Sequence, residues 1–135
     1  MTIKNQRLRV DNYLYTAGYY YGRSLMTAIR IGTNKLEVEM GRREGKHLDL
    51  RVCKQCNSNQ VEDEFHFIAQ CPLYNNLRDK LFLDICNTTN SKWKLDSLDP
   101  NKRFLFLVNG SGDQYEYTIN SLVQKYLIGC WKLRK

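Results

Sequence analysis

Three cysteines and a histidine stand in the middle of the chain at a spacing that suits a metal ion. They are Cys53, Cys56, His66 and Cys71, in the segment RVCKQCNSNQVEDEFHFIAQCPLY, a Cys-x2-Cys-x9-His-x4-Cys pattern. Two cysteines with two residues between them put both sulfurs on one side of a tight knuckle. A histidine and a cysteine on or just past one helix then close a tetrahedron, with Zn–S near ~2.3 Å and Zn–N near ~2.0 Å. Four protein ligands leave no open position, so the pattern predicts one structural Zn²⁺ and not a catalytic one. Phe65 and Phe67 flank the histidine and would shield the ion. The second ring nitrogen of His66 requires a partner that the sequence does not identify.

Other readings of these residues explain less. A core histidine beside unrelated cysteines leaves the Cys-x2-Cys pair without a reason. A redox pair at Cys53-Lys54-Gln55-Cys56 needs a βαβ context and a helix starting at the first cysteine, and neither is visible. His47 lies in a basic loop and lacks helical register with Cys71. The two remaining cysteines, Cys86 and Cys130, fall on apolar faces of expected helices and read as small buried hydrophobes. There is no Ser/His/Asp set, no phosphate-binding loop and no paired-carboxylate motif, so no enzyme is expected.

The rest of the chain must position that cluster. Residues 19–31 carry Leu25, Ala28 and Ile29 at helical spacing, continued by Gly32, with Gly32-Thr33-Asn34 as the stop. KLEVEM alternates Leu36, Val38 and Met40, and HLDLRV alternates Leu48, Leu50 and Val52. Two short strands joined across GRREGK account for both, although LEVEM also suits a helical turn. Glu62, Asp63 and Glu64 open VEDEFHFIAQC as a helix, their charge favoured by the helix dipole. Pro72 starts the next one, where Leu73, Leu77, Leu81 and Ile85 recur every four residues. Asp99-Pro100 caps a short helix that ends at Asn109-Gly110. Ser111 and Gln114 suit a capping box for the last helix, whose face carries Ile119, Leu122, Val123, Tyr126, Cys130 and Leu133. The fold class expected is mainly α: a small zinc-stabilised helical domain with a short β-hairpin or loop at the Cys-x2-Cys knuckle. Within it lie an N-terminal helical segment (1–40), a zinc-binding module with its following helix (41–86) and C-terminal helices (87–135), forming one compact domain. Cores this small should couple zinc binding to folding.

Composition narrows the setting. Hydrophobic content of 42%, with nine Tyr and five Phe among 135 residues, argues for a folded chain. No apolar run approaches the ~18 residues that a membrane helix requires, and MTIKNQRLRVDNYLY lacks the apolar core of a signal peptide. A nuclear or cytoplasmic location is therefore expected, without secretion, in a compartment where cysteines serve metal better than disulfides. The formal charge of +7 gathers in GRREGKHLDLRVCK (41–54) and in KYLIGCWKLRK near the end. A basic surface of this kind favours polyanions, nucleic acid first among them.

From Arg23 to Leu81 the sequence resembles the C-terminal zinc-binding region that follows the polymerase in animal non-LTR retrotransposon reverse transcriptases. The helix GRSLMTAIRIG, the stretch KLEVEMGR with Leu36, Glu39, Gly41 and Arg42, and RVCKQC carry the resemblance. It continues through VEDEFHFIAQCPLYNNLR at Glu62, Asp63, His66, Phe67, Cys71, Pro72, Tyr74 and Arg78, and the tail QKYLIGCWKLR looks similar to the end of such frames. The resemblance implies zinc ligands at Cys53, Cys56, His66 and Cys71. The chain lacks a paired-aspartate polymerase signature and is too short for a palm domain, so it reads as a detached or independently encoded C-terminal module of such a protein. Such a module would hold template RNA or target DNA beside the polymerase part of the retroelement protein. Phosphate contacts would come from Arg42, Arg43, Lys46, Arg51, Lys54, Arg78 and Lys80, with base stacking on Tyr74 as an option. The alternative is a structural or protein-interaction module with no nucleic-acid affinity. It would dock through helix 73–85 or the terminal helix, with Tyr13, Tyr15 and Tyr19 to Tyr21 covering an apolar surface.

Overall fold

The computed structural model describes residues 20–134. Tyr13, Tyr15 and Tyr19, invoked above as a surface cover, lie outside the described residues, as do the side chains of Tyr20 and Tyr21. Five α-helices order the described residues: α1 (Tyr20–Ile31), α2 (Glu37–Arg43), α3 (Asn75–Thr88), α4 (Pro100–Asn109) and α5 (Glu116–Leu133). Among the described residues there is no sheet, only one antiparallel bridge between Val52 and Val61. The mainly helical class expected from the sequence is the one observed.

The central element is α5. It packs against α1 on one side and α3 on the other, while α4 lies against the turn that carries His66. A helix covered twice needs more than one apolar stripe. Accordingly Ile119, Val123, Tyr126, Leu127 and Cys130 are buried, together with the polar Asn120 and Gln124. Leu133, expected on that face, is 46% exposed at the helix end. Met26 and Ile29 of α1, Leu81, Phe82 and Ile85 of α3, and Phe104, Leu107 and Val108 of α4 complete the same core. Buried side chains from all three sequence segments thus share one interior.

Local signals explain most boundaries. Gly32 ends α1 at φ 74°, and Thr33 N donates to Ala28 O at 3.0 Å. Asp99 caps α4 by accepting from Lys102 N at 2.9 Å, with Pro100 in the first turn. Gly110 closes α4 at φ 89°, a conformation that other residues adopt at a cost.

Four expectations are corrected. KLEVEM is not a strand: Leu36 is buried and Glu37–Arg43 forms α2, because Asn34 Oδ1 and a Glu62 carboxylate oxygen accept the first free amides at 3.1 and 2.8 Å. HLDLRV is a 3-10 turn at Leu48–Leu50 with both leucines exposed, so its alternation does not mark a buried face. Pro72–Tyr74 is a separate turn that leaves Leu73 39% exposed, and the buried face of α3 runs through Arg78, Leu81, Phe82 and Ile85. No capping box starts α5; Asp113 Oδ1 accepts from Ser111 Oγ at 2.6 Å and from Tyr115 N at 3.0 Å. Of the two cysteines read as core, Cys130 is fully buried, whereas Cys86 is half-buried and its thiol donates to Ser91 Oγ at 3.8 Å.

Candidate metal centre

The knuckle is built by a minimal antiparallel pairing. Cys53 N donates to Gln60 O at 2.9 Å, and Glu62 N donates to Arg51 O at 3.0 Å. This clamp holds the intervening loop so that Cys53 and Cys56 face inward. The other half comes from a short helix starting at Glu64, where Asp63 Oδ1 accepts from His66 N at 2.7 Å. Its last turn, His66–Gln70, is π-helical and closes with Cys71 N donating to His66 O at 2.7 Å. Five residues advance about 140° beyond one full turn of an α-helix. The wider turn removes most of that offset and brings Cys71 to the histidine's side.

The result is one cluster. The ligand atoms of Cys53, Cys56, His66 and Cys71 all lie within 4.8 Å of one another. Cys53 Sγ and Cys71 Sγ are 4.0 Å apart, and Cys56 Sγ is 3.4 Å from His66 Nε2. A tetrahedral ion with ~2.3 Å bonds to sulfur separates its sulfurs by about 3.8 Å, so the spacing suits a single metal ion. All five cysteines are free. His66 presents Nε2 to the cluster while Nδ1 lies 3.2 Å from Gln60 Oε1, the ring partner that the sequence leaves unidentified. With Nε2 as ligand, Nδ1 carries the proton and donates to that oxygen.

Two of the sulfurs also meet polar groups two residues further on: Gln55 N donates to Cys53 Sγ at 3.4 Å, and the Ser58 hydroxyl lies 3.1 Å from Cys56 Sγ. Such bonds stabilise thiolate. Without a metal, burial pushes the Cys53 thiol up to about 12 and raises that of Cys71. Burial acts the same way on Cys56, but bonds from the Ser58 hydroxyl and amide prevail and lower it. Burial also lowers His66 against the pull of Asp63 and Glu62, which keeps the ring neutral and able to ligate. A divalent cation entering this set would displace the thiol protons.

Around the ligands lies a shell that sequence reasoning missed in part. Glu62, read as a helix-dipole acid, is 1% exposed. Its carboxylate accepts from Arg134 at 2.7 and 3.0 Å and from Glu37 N at 2.8 Å, and Cys53 Sγ lies 4.0 Å away. The acidic trio was visible in the sequence, but nothing there marks which acid turns inward. Tyr74, an option for base stacking, is buried with its ring edge-on to Phe67 at 5.2 Å, and presents no face to solvent.

The predicted phosphate contacts divide. Arg42 is exposed and bonded to Glu39, Arg43 is exposed, and Lys54 is exposed beside Glu37 at 3.3 Å. Lys46 is half-exposed with Glu44 at 3.7 Å, and Lys80 pairs with Asp84 at 2.8 Å on α3. Arg51 turns inward, donating to Lys46 O at 2.8 and 3.0 Å and to Val38 O at 3.2 Å. It lies across Gly41, where a Cβ would come within 2.5 Å of Arg51 Cγ. Arg78 is buried, and its guanidinium donates to protein oxygens, the Cys71 and Ile68 carbonyls among them. Neither inward-turned arginine presents its head group to a polyanion. Comparison with known proteins found no matching family model, no similar curated protein and no similar solved structure.

Proposed function

We propose that the chain is a zinc-organised, nucleic-acid-binding module of the kind that ends non-LTR retrotransposon reverse transcriptases, holding template RNA or target DNA for a polymerase. The observation that carries this reading is the convergence of four soft and imidazole donors within 4.8 Å, with exposed Arg42, Arg43 and Lys54 in the segments around them. Sulfur-rich tetrahedral sets without an open position suit structural Zn²⁺. Zinc would fix the loop, and the basic side chains would neutralise phosphates.

Binding of the zinc-loaded chain to RNA and DNA oligonucleotides across a salt series tests this. Affinity should fall linearly on log–log axes, with a slope of roughly −0.7 to −0.9 per phosphate contact. Arg42→Glu combined with Arg43→Glu should flatten the slope by about 1.5 and weaken binding at least tenfold. No binding at low salt would leave the second reading, docking to a protein partner, which exposed Leu83 (59%) and Leu73 favour.

A further inference from the structure

Arg78 is an arginine with its charge buried and no acid beside it. The residue is 6% exposed. Nη2 donates to Cys71 O at 3.0 Å, Nε to Ile68 O and to the Tyr126 hydroxyl at 3.1 Å each, and Nη1 to Asn75 Oδ1 at 2.9 Å. Every partner is neutral, and among the described residues no carboxylate forms an ion pair with it. A buried cation in that position is costly unless an anion lies close. The other buried charges nearby do not serve, because Glu62 and Arg134 are joined to each other at 2.7 Å.

The missing anion is the metal centre. One divalent ion, three thiolates and a neutral imidazole carry a net charge of about −1. We infer that Arg78 is the counter-charge of the occupied metal site, so that the guanidinium favours the three-cysteine, divalent-metal state and opposes the empty one. One contact ties the residue to the centre directly: Nη2 donates to the carbonyl of the candidate ligand Cys71 at 3.0 Å. The Ile68 carbonyl that it shares with Tyr126 belongs to the π-turn between the two ligands, and Tyr126 donates to the same oxygen at 2.7 Å. Arg78 is thus a positioning residue as well as an electrostatic one, and the test must separate the two roles.

The inference rests on the metal reading of the site and is independent of nucleic-acid binding. Zn²⁺ affinity, measured by competition with a chromophoric chelator, is compared for the wild type, Arg78→Gln and Arg78→Lys. Loss of the charge should weaken binding about ten- to a hundredfold, and lysine should recover most of it. A second comparison repeats Arg78→Gln in a Cys56→His background, whose two-cysteine, two-histidine site would be neutral when filled. There the same change should cost less than about threefold. Lysine as damaging as glutamine, or equal losses in both backgrounds, would overturn the counter-charge. A wild type that binds no Zn²⁺ would instead sink the metal reading itself.

Discussion

At the scale of single residues, the chemistry of this protein is concentrated in four side chains and the groups that orient them. Cys53 and Cys71 are buried with their sulfurs 4.0 Å apart, and their raised thiols mean that any metal uptake must release protons. Cys71→Ser should remove a sulfur that geometry cannot replace. With Co²⁺ as a probe, the intense visible absorption of a tetrahedral sulfur site should be lost or collapse severalfold, and Zn²⁺ affinity should fall at least a hundredfold. An unchanged Co²⁺ spectrum would show that Cys71 is no ligand. His66 was recognisable by its spacing to Cys71, whereas Gln60 was not, because a hydrogen bond across the knuckle loop leaves no periodic trace.

Elements carry a second layer of specification. The turn between α4 and α5 is organised by Asp113, which accepts from Trp93 Nε1 at 2.9 Å and pairs with Lys92 at 2.8 Å, tying it to the loop after α3. Partial burial works to raise its carboxyl, but bonds from Lys92, Ser111, Trp93 and the Tyr115 amide prevail and hold it well below the usual carboxylate range. A depressed folded-state value contributes stability that is present above the ordinary carboxylate value near ~4 and lost as pH falls below it. Asp113→Asn should therefore cost about 1–2 kcal/mol at neutral pH. Urea midpoints measured from pH 7 down to pH 2 should show the gap narrowing once pH falls below about 4; a gap independent of pH would argue against the charge. The short α2 makes the complementary point. Its apolar alternation suits a strand, yet caps from Asn34 and from Glu62, distant in sequence, select a helix. The π-turn at His66–Gln70 is likewise a product of contacts on both sides, and no residue in HFIAQ announces it.

The whole molecule joins a helical core to an edge that carries the Cys/His cluster. Because α5 packs on both α1 and α3, those helices bury each other's side chains without help from the ion. The knuckle loop, residues 44–61, has little apolar cover of its own: Leu48 and Leu50 are exposed, whereas Leu36, Phe67, Ile68 and Tyr74 on either side of it are buried in the common core. Chelation should accordingly abolish hydrogen-exchange protection across residues 44–61 while amides in α3 and α5 stay protected. Protection retained throughout would show that the metal is not a scaffold, and loss everywhere would show that the helical core depends on it fully.

The sequence by itself determined the Cys/His cluster, the helical class and the ends of α1 and α4, because those follow from spacing, period and single capping residues. Asp99-Pro100 and Gly32 act within one turn of chain, and Cys-x2-Cys acts within one loop. Tertiary structure alone decided which charges are available. Arg51 and Arg78 are indistinguishable in sequence from Arg42 and Arg43, yet one lies across Gly41 and the other under Cys71. Burial of a long cationic side chain depends on carbonyls brought together from distant parts of the chain, and that is a property of the packed core rather than of any local pattern.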